Sequence, residues 1–123
     1  MHEKSGTFAL EREDFDDITV LRIKAPMLRD DEETDALFHQ TYSTVEDAGR
    51  VKVVVNVDSV VFLSSMGIGR LVTLMHKVRT AGGRLVLCKL ARPIEELLQK
   101  MHLTEILLVY PDEREAIQSF ARS

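Results

Sequence analysis

Tryptophan is absent from this 123-residue chain, cysteine occurs once, proline three times and glycine six times. So little glycine and proline excludes fibrous and low-complexity classes. The lone thiol, Cys88, lies in an apolar run at residues 84–88, which rules out an intrachain disulfide or a cysteine-built metal site and points to a buried, inert side chain. No apolar stretch approaches the ~20 residues that a membrane-spanning helix needs. Residues 1–14 are polar and lack the apolar core of a signal peptide, so a cytoplasmic protein is expected. What is present, 45% hydrophobic and 29% charged residues, suits one soluble globular domain over 1–123, a monomer or weak dimer.

Charge of one sign is also unevenly supplied. Residues 1–48 carry 13 acidic and 5 basic side chains, whereas residues 49–123 carry 7 and 11, giving −8 against +4. No cluster of Lys and Arg interleaved with aromatics is found, which argues against nucleic acid as a partner. The four histidines lack the spacing of metal ligands, no phosphate-cradling glycine loop follows a strand, and no cofactor is expected.

Alternation at 7–11 and the run 18–23 predict an antiparallel hairpin joined through the acids of 14–17. A helix is expected over 30–48, where Phe38, Tyr42 and Val45 share a face behind four acids that suit a helix N-terminus. Runs at 51–55, 84–88 and 106–109 read as central strands buried on both faces. Between the first two, Ile68, Leu71, Val72, Met75 and Val78 form one apolar stripe, so a second helix spans about 65–80 and ends at Ala81-Gly-Gly83. Pro93 opens a short third helix with Ile94, Leu97, Leu98 and Met101, and Asp112 starts a fourth with Ala116, Ile117 and Phe120. Strands alternating with helices predict an α/β fold with a mostly parallel central sheet, an N-terminal hairpin and about four helices.

The segment between the first central strand and the second helix is the unusual one. Ser64 and Ser65 fall at the helix start, where one serine serves as a cap. Capping does not account for Gly67 and Gly69, each of which costs up to about 1 kcal/mol against alanine in a helix, so something must approach that backbone closely. A packed strand, a partner protein and an anion are the three candidates.

Val53-Val-Val-Asn-Val-Asp-Ser-Val-Val-Phe-Leu-Ser-Ser-Met-Gly-Ile-Gly69 resembles the signature of the STAS domain, a family that includes bacterial anti-sigma factor antagonists. The resemblance extends from the hairpin through Ala81-Gly-Gly-Arg-Leu-Val-Leu87 to the closing segment 103–120. It sets Asn56 at the family's strand-end Asp, Phe62 at its Phe, Ser65 at its phosphorylatable Ser, with Ser64 as the competing acceptor, and Gly67 and Gly69 at its glycines. By that resemblance the protein is a non-enzymatic phosphoprotein of sigma-factor regulation. It binds an anti-sigma factor with serine kinase activity through Asn56, Phe62, Ser64, Ser65, Met66, Gly67, Ile68 and Gly69, is released by phosphorylation, and is reset by a serine phosphatase. Two positions depart from the pattern: Ser64 replaces the Asp before the acceptor, and Ala25-Pro-Met-Leu28 replaces Gly-Glu-Leu-Asp. Asp30 and Asp31, close downstream, are candidates to supply the missing carboxylate.

Other readings use the same residues differently. A non-switching STAS subunit of a stressosome-like or lipid-transport assembly would keep the fold and use the serines structurally. A receiver-like domain would use Asp58 as acceptor with Asp14, Asp16 and Asp17 around Mg²⁺, and a small hydrolase would need a base for Ser65 that the neighbouring sequence does not contain.

Overall fold

The computed structural model describes residues 2–6, as backbone, and residues 9–121. A six-stranded sheet runs in the order β1 (His2–Gly6), β2 (Leu10–Phe15), β3 (Ile18–Ile23), β5 (Lys52–Asn56), β7 (Arg84–Cys88) and β8 (Leu108–Tyr110). The first two pairings are antiparallel and the last three parallel. A separate two-stranded parallel ribbon joins β4 (Met27–Leu28) to β6 (Phe62–Leu63). The helices are α1 (Glu32–Glu46), α2 (Ser65–Thr80), α3 (Arg92–Lys100) and α4 (Glu113–Ala121). This is the expected mixed α/β class with its parallel centre and antiparallel start.

Alternation along the central strands divides the interior in two. Leu21, Val53, Val55, Leu85 and Leu87 point to one face and pack with Leu37, Phe38, Leu71, Leu74 and Met75, among others, under α1, α2 and α3. Val20, Val54, Val86 and Cys88 point to the other and meet Ala116 and Phe120 of α4. Helices on both faces are why the runs at 52–56 and 84–88 are apolar almost throughout. Acidic α1 lies against basic α2 along a seam of Asp35 with Arg70 at 2.6 Å and Glu46 with Lys77 at 3.2 Å, and the Tyr42 hydroxyl donates to the Arg70 carbonyl at 3.0 Å.

Three expectations need correction. The hairpin is longer and its turn shorter: β2 reaches Phe15, Asp14 lies within it, buried and accepting from Arg12 and Thr19, and only Asp16 and Asp17 form the turn. Asp16 is left-handed (φ 56°), a conformation short polar side chains tolerate. Of the strand expected at 7–11, Thr7 and Phe8 lie outside the described residues. Second, β1 pairs outside β2, in a polar sequence without an alternating apolar signal. Third, the run 106–109 is not a central strand: Leu103–Glu105 is a 3₁₀ turn, Leu107 plugs the core, and β8 is an edge strand on which Leu108 stays 42% exposed. An edge strand buries fewer of its side chains, so an apolar run there does not imply burial on both faces.

Candidate functional site at the head of helix α2

The carboxyl ends of β3 and β5 lead into the two strands of the β4–β6 ribbon, and β6 leads into α2. Open α/β sheets commonly carry their sites at this edge. The loop from Val57 to Leu63 is held from below by Asn56, whose Oδ1 accepts the Asp58 N–H at 2.9 Å, and by a turn in which Val60 N–H donates to the Val57 carbonyl. From the side it is held by the Pro26 carbonyl, which accepts from both Val61 and Phe62, and by the Leu28 carbonyl, which accepts from Ser64. Val60 and Leu63 consequently turn inward, while Val61, Phe62 and the ribbon neighbour Met27 remain 62%, 46% and 43% exposed.

The two serines occupy different environments. Ser64 is the N-cap of α2, its hydroxyl accepting the Gly67 N–H at 3.1 Å, whereas Ser65, the first helical residue, is exposed. The two glycines differ as well. A Cβ on Gly67 would stand 2.8 Å from Leu63 Cδ1 and 3.1 Å from the Leu28 carbonyl oxygen, so of the three candidates for close approach a packed strand accounts for this glycine. Nothing lies within 4 Å of a Cβ built on Gly69, which is exposed.

The residues singled out from sequence therefore fall into two sets. Phe62, Ser65 and Gly69 are exposed on one rim, with Ser64 and Met66 half-buried beside them. Asn56, Gly67 and Ile68 are buried, Asn56 with its Nδ2 donating to Glu113 Oε2 of α4 at 2.5 Å. Leu28, at the position of the family's second Asp, is 2% exposed and offers the helix head a backbone carbonyl rather than a carboxylate. Asp31 is occupied as the N-cap of α1, accepting the Thr34 N–H, which holds its carboxyl below the usual carboxylate range. Asp30 is exposed.

Sequence reading missed Val61 and Met27 as members of the rim. Their signal was present: five residues from Val60 to Ser64 contain four apolar ones, more than a link crossing the sheet edge can turn inward. Glu113 carried no such signal. The receiver arrangement is absent in space, because Asp16 and Asp17 form the turn before β3, and Asp58 follows the opposite end of β5. Among the described residues no group of three or more His, Cys, Asp or Glu side chains is placed to hold a metal ion, and no helix is long and apolar enough to cross a membrane.

Similar folds are known. An anti-sigma factor antagonist from Mycobacterium paratuberculosis superposes with a TM-score of 0.74 at 19% identity, covering 89% of this chain and 91% of its own. An anti-sigma-factor antagonist (STAS) domain protein from Planctomyces limnophilus gives 0.74 at 19% identity over 98% and 97%. The anti-sigma factor antagonist SpoIIAA in its unphosphorylated form gives 0.72 at 15% over 100% and 98%. At such identities the likeness is one of fold. Comparison with functionally curated proteins yields no match. The model of the STAS domain matches residues 9–116, nearly the whole of the described fold, and the chain belongs to the STAS domain family.

Proposed function

We propose that this protein is an anti-sigma factor antagonist that docks a partner with serine kinase activity on the rim formed by Met27, Val61, Phe62, Ser65 and Gly69, and that phosphorylation of Ser65 releases it. The observation that carries this reading is the division of labour between the serines: Ser64 is engaged in capping, and the Ser65 hydroxyl is exposed beside uncovered apolar side chains. A phosphate on Ser65 brings nearly two negative charges to a helix N-terminus, which tolerates them, so the fold survives modification. The same charges beside Phe62 and Val61 must be desolvated when a partner covers the rim, and binding is lost. A serine phosphatase completes the cycle by restoring the hydroxyl.

Co-purification with mass spectrometry identifies the partner, and titration calorimetry then compares variants. Ser65→Glu weakens binding at least about tenfold, about 1.4 kcal/mol, while Ser65→Ala binds as wild type and is not released by the kinase. Equal affinities for the two variants remove Ser65 from the interface. A second reading, a STAS subunit that does not switch, draws support from Leu28 and Ser64 standing where carboxylates are usual. It predicts that equality, with fellow subunits and no kinase in the co-purified material.

A further inference from the structure

We infer that Glu113, in α4 and outside the rim, is a positioning residue that fixes the loop carrying Val61 and Phe62. Its functional meaning rests on the docking role proposed for that rim. Glu113 Oε2 accepts from Asn56 Nδ2 at 2.5 Å and from Arg22 Nε at 2.7 Å, while Oε1 accepts from Arg22 Nη2 at 2.9 Å. Arg22 is itself held by Glu11 at 2.5 Å and Glu13 at 2.7 Å, so the carboxylate is anchored through β3 to β2. A carboxylate only accepts hydrogen bonds. The Asn56 amide must therefore turn its NH₂ toward α4, which leaves its oxygen facing the loop, where it takes the Asp58 N–H at 2.9 Å. From there the Val57–Val60 turn and the shared Pro26 carbonyl carry the chain to Val61 and Phe62.

This strut also gives a reason for Asn56 where the family pattern has Asp. An aspartate at 56 would set its second oxygen against Glu113 Oε2 at hydrogen-bond distance with no proton between them, and the repulsion would draw the side chain away from the Asp58 N–H. Asn56 and Glu113 thus form a matched donor and acceptor from elements 57 positions apart. Two single variants test the match directly. Asn56→Asp opposes two carboxylates, and Glu113→Ala removes the acceptor while leaving Asn56 in place.

Amide hydrogen exchange by NMR reads the loop without any partner, so failure here is separable from failure of the docking role. In Asn56→Asp the Asp58 and Val60 amides exchange about tenfold faster, the factor expected when a hydrogen bond to a charged group is lost. Val54 and Leu87, in the sheet core, keep their rates. Glu113→Ala, which leaves residue 56 untouched, accelerates the same two amides and spares the same sheet positions. Unchanged loop exchange in either variant, or equal acceleration of Val54 and Leu87, would overturn the inference.

Discussion

Alanine at Gly67 and at Gly69 should move stability in opposite directions, although the two glycines are two residues apart in the first turn of one helix. Replacing a helical glycine by alanine gains up to about 1 kcal/mol from reduced chain entropy, less at a helix end than in its interior. At Gly69 nothing opposes that gain, since the new methyl meets no atom within 4 Å. At Gly67 the methyl would lie 2.8 Å from Leu63 Cδ1 and 3.1 Å from the Leu28 carbonyl oxygen. Leu63 is buried and has little room to rotate away, and the Leu28 carbonyl is the acceptor for the Ser64 N–H, so relief strains the contact that seats β4 on the helix. Overpacking of this kind costs about 1–3 kcal/mol, which exceeds the propensity gain. Gly67→Ala is therefore destabilised by about 1 kcal/mol or more, and Gly69→Ala is stabilised by about 0.5 kcal/mol. With roughly 3–5 °C per kcal/mol for a chain of this size, thermal unfolding followed by circular dichroism separates the variants by several degrees. A Gly67→Ala protein as stable as wild type, or a destabilised Gly69→Ala, refutes the packing argument. Partner binding adds an independent reading: a methyl at 69 on the docking rim lowers affinity in a protein that has become more stable.

Ser64→Ala removes the α2 cap and lowers stability by about 1 kcal/mol in urea unfolding, whereas Ser64→Asp, an equally good cap, leaves it unchanged. If a carboxylate beside the acceptor helps align the Ser65 hydroxyl, Ser64→Asp is phosphorylated faster by the cognate kinase, and an initial rate no higher than wild type rejects that alignment role. Glu113 is held below the usual carboxylate range by the Arg22 guanidinium, against the effect of burial and with help from Asn56 and Lys89. Its contribution is present above the unfolded glutamate value of about 4.3 and is lost as pH falls through the folded value, so Glu113→Gln flattens the acid limb of the stability curve measured by urea titration below pH 5. An acid limb identical to wild type contradicts this. Burial, with Glu113 adding to it, pushes the Cys88 thiol up to about 12; iodoacetamide labels it at the rate of unfolding, and rapid labelling of the native protein shows the assignment to be wrong.

The parts of the fold that were legible in the sequence are those where one local rule acts alone. The stripe from Ile68 to Val78 could belong only to a helix lying on a core, and the β-branched run at 53–55 only to a strand covered on both faces. β1 escaped notice because His2-Glu-Lys-Ser-Gly6 has no alternating apolar residues and owes its strand conformation to pairing with β2. The run from Ile106 misled for the opposite reason: its residues are apolar, yet Ile106 lies in the turn before β8 and Leu108 on an edge strand, placements set by topology that leave both uncovered. At the site, serines and glycines announced a special helix start. Which serine caps and which is exposed, and which glycine is packed, depended on β4, a strand whose Leu28 meets Ser64 from 36 residues upstream and whose hydrogen bonds no local pattern encodes.

Because the sheet lays its strands side by side in the order in which the chain supplies them, the uneven distribution of charge along the sequence becomes a division of the molecule in space. The acidic first 48 residues build the flank of β1, β2, β3 and α1, and the basic remainder builds α2 and the strands beyond it. The seam between α1 and α2 neutralises part of this contrast through Asp35 with Arg70 and Glu46 with Lys77. The rest is a dipole lying across the sheet. The rim straddles its midline, with Met27 contributed by the acidic side and Phe62 and Ser65 by the basic side. On the docking role proposed for the rim, a partner of complementary polarity is turned by this field before any side chain touches, so its rate of encounter falls with ionic strength while the apolar rim sets how long the complex lasts.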